Sequence, residues 1–143
     1  MRVRPWAEFG TDLPDDHIED GPRIVQFGGK SVAKAIGDIL VGFGCEVSEP
    51  IYADEHGWEL DIIAGEQRRR LWCQITLIGK FVMVFEQNSW IANTLGRYHP
   101  AYLDMLKRLG AALAEDARFH DVRWYTSDDL HTAAPGALHP LED

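Results

Sequence analysis

The chain has 143 residues, the length of one domain, and its 45% hydrophobic and 26% charged side chains are the proportions of a folded globular protein. It carries 23 acidic against 14 basic side chains, a formal net charge of -9. That balance disfavours nucleic acid and anionic membranes as partners, because both are themselves negative.

From Glu8 to Asp20 stand six carboxylates (Glu8, Asp12, Asp15, Asp16, Glu19 and Asp20), with no Lys or Arg between Arg4 and Arg23. Pro5, Pro14 and Pro22 interrupt the same stretch. Residues 1–23 therefore read as an irregular acidic arm, pinned to the body through Trp6, Phe9, Leu13 and Ile18. No apolar segment follows the basic residues at the start, so no secretory signal is expected. The longest strongly apolar run, Phe81 to Phe85, is too short to span a bilayer. A cytoplasmic protein is the expectation. Cys45 and Cys73 fit it, since both sit among apolar residues and lack metal-type spacing.

The clearest element is a helix with Ser31 as its N-cap. Val32, Ala35, Ile36, Ile39, Leu40 and Phe43 recur at helical spacing and form one apolar stripe. Gly42 and Gly44 supply its stop. Cys45 to Tyr52 reads as a strand that Pro50 confines to a sheet edge. Trp58 to Ile63 alternates, with Trp58, Leu60 and Ile62 on one face and Glu59 and Asp61 on the other. A polar turn over 64–69 leads to a strand over 70–78 with Leu71, Cys73, Ile75 and Leu77 inward. Gly79-Lys80 suits a tight hairpin, and the returning strand over 81–87 is apolar on both faces, as in a central strand. A loop over 88–98 precedes a second helix that starts at His99-Pro100, where proline's missing N–H costs nothing. Val122 to Tyr125 forms a last short strand, and the tail from Thr126 reads as loosely ordered.

The expected fold is α+β: an antiparallel β-meander of about four to five strands with two main helices packed on it, in the order α-βββ(β)-α-β. A core over 24–126 would lie between the acidic arm and the tail, all in one domain.

No reaction is specified. Gly28-Gly29-Lys30-Ser31 resembles the end of a phosphate loop, but Ile24 stands where that loop needs its first glycine. The helix N-terminus remains as a weak anion site. Asp54, Glu55, His56, Glu59 and Asp61 form the densest group of potential metal ligands. A small enzyme dependent on metal through Asp54, His56 and Asp61 is thus one alternative, against a solvated strand face. No histidine is placed beside either cysteine for nucleophilic catalysis. Arg68-Arg69-Arg70 reads as a solvated turn or as a contact to the protein's own acidic arm. Trp58, Trp72, Trp90 and Trp124 are core candidates. If Trp72 shares the outer strand face with Gln74 and Thr76, it becomes an interface anchor.

The run from His56 to Asp61, the second helix, and the run from Asp116 to Tyr125 resemble small bacterial proteins, some of which are immunity partners of antibacterial toxins. The likeness spans residues 15 to 125. It implies a binding module that occludes a basic toxin through an acidic surface. The element order and acidity are also similar to type III secretion chaperones, which implies a homodimer wrapping an extended effector segment. The expectation is a non-catalytic protein-binding module with no cofactor and no metal, and with a basic protein as partner. Asp15, Asp16, Glu19, Asp20, Glu59, Asp61 and Trp72 are its candidate contact residues.

Overall fold

The computed structural model describes residues 1–142. In chain order the elements are β1 (Arg2–Val3), β2 (Trp6–Thr11), β3 (Ile18–Asp20), β4 (Arg23–Gln26), α1 (Lys30–Gly42), β5 (Glu46–Val47) and β6 (Ile51–Tyr52). A 3-10 turn (Asp54–His56) precedes β7 (Trp58–Ala64), β8 (Arg69–Ile78), β9 (Lys80–Gln87), α2 (Trp90–Thr94), α3 (Pro100–Glu115), β10 (Phe119–Tyr125), α4 (Ser127–Leu130) and β11 (Leu141–Glu142). The fold is α+β. Its main sheet is antiparallel with the order β10-β2-β9-β8-β7-β5, and β6 also pairs with β7.

The core lies between one face of this sheet and the two long helices. Strand alternation sends Leu60, Ile62, Leu71, Cys73, Ile75, Met83 and Phe85 to that face, where all are buried. Val32, Ile36 and Leu40 of α1 and Leu106, Leu109 and Leu113 of α3 meet them from the other side. Tyr102 is also fully buried, and its hydroxyl donates to the Phe85 carbonyl at 2.7 Å. Trp58 and Trp124 are core residues, whereas Trp90 is exposed.

Four readings of the sequence need correction. The first eleven residues are not an irregular arm: β2 lies between β10 and β9, with Phe9 opposite Phe81 and Trp6 opposite Val84. Ala7 and Phe9 point inward, a period-two signal that the neighbouring prolines and acids obscure. The sheet accordingly has seven strands. The N-cap of α1 is Gly29, not Ser31, which lies inside the helix. The strand expected over Cys45 to Tyr52 is two short edge pieces, β5 and β6, separated around Pro50. The tail is not loose: Ala137 and Trp124 exchange both backbone hydrogen bonds, at 2.8 and 2.9 Å, along the edge of β10. β11 then pairs with β1, and Arg4 bonds Glu142 at 2.9 Å.

The loop over 88–98 contains the short helix α2, capped by Ser89, whose Oγ accepts from the Ala92 N–H. α3 starts as expected, with His99 as N-cap and Pro100 in the first turn. Asp104 and Arg108 form the anticipated i, i+4 pair at 3.7 Å.

Candidate functional site

The acidic segment divides into two parts with different roles. Glu8 lies within β2 and pairs with Lys80, so it belongs to the sheet. Asp15 to Asp20 lead into a two-stranded hairpin, β3–β4, that joins no other sheet. Its base is fixed by aromatic groups. The Phe27 N–H donates to the Tyr52 hydroxyl at 3.0 Å, and the Trp58 indole donates to the Phe27 carbonyl at 2.9 Å. The Tyr52 and Trp58 rings lie 4.9 Å apart.

Asp15 and Asp16 hold this base together. The Asp15 side chain accepts from the His17 N–H at 3.0 Å, and its carbonyl accepts from the Gly29 N–H at 2.8 Å. Gly28 permits that approach, because a Cβ there would lie 2.4 Å from the Asp15 carbonyl oxygen. The Asp16 carboxylate accepts from the Ser31 N–H at 2.7 Å, within the first turn of α1. A carboxylate from 15 residues upstream thus occupies the anion position at this helix N-terminus. Asp16 is in the left-handed region at φ 63°, which aspartate tolerates better than most residues.

Glu19 and Asp20 are exposed at the hairpin itself. Glu19 faces His17 at 3.0 Å, and Asp20 stands opposite Arg23. Ile18, Ile24 and Val25 on the same hairpin are 48%, 42% and 44% exposed.

Glu59, Asp61 and Trp72 lie elsewhere, on the sheet face opposite the long helices. Asp61 pairs across strands with Trp72, and Glu59 with Gln74, whose amide donates to Glu59 at 3.2 Å. Trp72, Gln74 and Thr76 are half-buried along this face while Leu71, Cys73 and Ile75 are buried behind them. The sequence candidates therefore fall into two groups, one at the hairpin and one on the open sheet face.

Asp54, His56 and Asp61 are not brought together. Among the described residues no group of three or more His, Cys, Asp or Glu could hold a metal ion. Burial pushes the Cys73 thiol well above its ordinary range and raises Cys45 as well, so neither is a ready nucleophile. Burial also raises the Glu86 carboxyl.

The Arg68-Arg69-Arg70 run does not touch the acidic hairpin. It lies at the other end of β7 and β8, and Arg68 bonds Glu46 at 2.7 Å. Strand geometry explains this: Trp58 opens β7 beside the hairpin base, and Arg69 pairs with Ala64 at the strand's far end. Among the described residues no helix is long and apolar enough to cross a membrane. Comparison with protein-family models, with curated proteins and with solved structures finds no match.

Proposed function

We propose that the chain is a non-catalytic, immunity-type module that binds and neutralises a basic protein toxin. The carrying observation is the β3–β4 hairpin, in which Glu19 and Asp20 stand beside exposed Ile18, Ile24 and Val25. A merely solvated acidic face has no use for three exposed branched aliphatics on one short ribbon. Apolar area supplies contact energy and the carboxylates supply steering and selectivity. Asp15 and Asp16 contribute by holding the ribbon in place rather than by contact. Glu59, Asp61 and Trp72 offer a second acidic surface with an aromatic anchor.

The test uses the immobilised chain and lysate of its own source cells. The expected result is capture of a basic protein by the wild type, and its loss when Glu19→Gln, Asp20→Asn, Ile24→Ser and Val25→Ser are combined. Equal capture by that variant overturns the reading.

A chaperone-like reading draws on one further observation. β3 and β4 pair only with each other, so the ribbon's outer edges can accept an extended segment. This reading requires a homodimer, and a monomeric mass at micromolar concentration rejects it.

A further inference from the structure

We propose that the cleft between the β7–β8 turn and the start of α3 binds a compact polyanion bearing phosphate groups. The cleft has a volume of about 650 Å³ and is lined by Arg68, Arg69, Arg70, Arg97 and His99, with no carboxylate in its wall. Four of the chain's 14 basic side chains thus converge on one hollow in a protein that carries 23 acids. Arg68 is paired with Glu46, but Arg69, Arg70 and Arg97 form no ion pair among the described residues.

The wall is built, not incidental. Gln87 is the buried polar side chain of the described residues, and both ends of its amide fix the loop that carries Arg97 and His99. Its Nε2 donates to the Arg97 carbonyl at 2.8 Å, and its Oε1 accepts from the His99 N–H at 3.0 Å. A buried amide satisfied at both ends holds that loop in one geometry. His99 is itself oriented. Its Nδ1 accepts from the Ala101 N–H at 3.1 Å, which leaves the proton on Nε2, directed at Gln67 Oε1 2.9 Å away. The 16-residue α3 begins at this wall, so its positive end adds to the arginine charge.

Ligand class follows from size and charge. Guanidinium forks match phosphate oxygens in bidentate geometry, better than an ammonium does. A long polyanion such as nucleic acid would also meet the rest of a surface with net charge -9, which repels it. A small molecule with two or three linked phosphates places its charges inside the cleft and leaves the acidic remainder unengaged.

The experiment is calorimetric titration of the full chain with inorganic triphosphate, with citrate and a short single-stranded oligonucleotide as comparison arms. Saturable one-site binding of triphosphate is expected, weakened about tenfold or more in Arg70→Ala/Arg97→Ala, as loss of charge-assisted bonds predicts. Lys107→Ala, on the exposed side of α3, should bind as the wild type does. A melting shift with triphosphate in the wild type, absent from the double variant, gives a second readout on folded protein. No saturable binding, or binding indifferent to the two arginines, overturns the proposal. So does citrate binding as tightly as triphosphate, which would assign carboxylates, or tighter binding of the oligonucleotide. The hairpin variant described above should retain triphosphate binding, so failure of one reading is separable from failure of the other.

Discussion

Asp16 shows how a surface carboxylate becomes structural. It caps the first turn of α1 from outside the helix, at a backbone angle that few residues adopt readily. Asp16→Asn keeps an acceptor and tolerates that angle, so chemical denaturation should find it within about 0.5 kcal/mol of wild type. Asp16→Ala loses both features and should cost about 1–2 kcal/mol. Equal stability of the two variants would remove the capping role. Arg68 presents the opposite case, a non-glycine residue at φ 53° with an exposed ion pair. Its strain is not returned by that pair, which is worth little in water. Arg68→Gly should therefore stabilise the fold by roughly 0.5–1 kcal/mol, seen as a raised denaturation midpoint at unchanged slope. A destabilised variant would show that the side chain packs more than its exposure implies. Neither residue's role was legible from local sequence: Ser31 stood where a cap was expected, and the actual cap came from across a folded loop.

At the scale of elements, periodicity was a good guide wherever an element buries a full stripe. α1, α3, β7, β8 and β9 are legible in the spacing of Val32 to Leu40, Tyr102 to Leu113, and the alternating runs of the three strands. β2 was not, because only Ala7 and Phe9 carry its inward signal, and Pro5 and the acids that follow obscure so short an alternation. The order of the tail leaves no side-chain pattern in the sequence, since it comes from long-range backbone pairing. A chain ended after Leu130 would lose the Ala137 bridge to Trp124, the Arg4 N–H bond to the Pro140 carbonyl and the pairing of β11 with β1. We expect such a chain to unfold several degrees lower and to aggregate through the opened edge of β10; an unchanged melting temperature would show the tail to be dispensable. Glu86 gives β9 a pH signature. Burial raises its folded pKa, so the native state holds this proton more firmly than the unfolded chain does. Its contribution to stability is fully present below the unfolded value, about pH 4.3, and is lost as pH rises through the folded one. Glu86→Gln should therefore be more stable than wild type at pH 7, with the gap closing towards pH 4. A gap independent of pH would contradict this.

The whole molecule separates its charges. The hairpin carboxylates lie at the end where β7 begins, and the arginine cleft lies where β7 ends and β8 starts. The six-carboxylate run and the three-arginine run were both plain in the sequence, but their placement at opposite ends required the β7–β8 register. This polarity makes opposite predictions for the two ends if a basic protein docks at the hairpin. Steering depends on the field near the docking surface and on the net charge behind it. Glu19→Gln/Asp20→Asn should slow association, by several-fold at low salt and little at high salt, while dissociation changes less. Arg69→Ala/Arg70→Ala makes the chain more negative without touching the hairpin, so association should be equal or modestly faster. Stopped-flow association at two ionic strengths checks both. If the arginine variant slows association as much as the hairpin variant does, the partner spans both ends and the hairpin is not its principal contact.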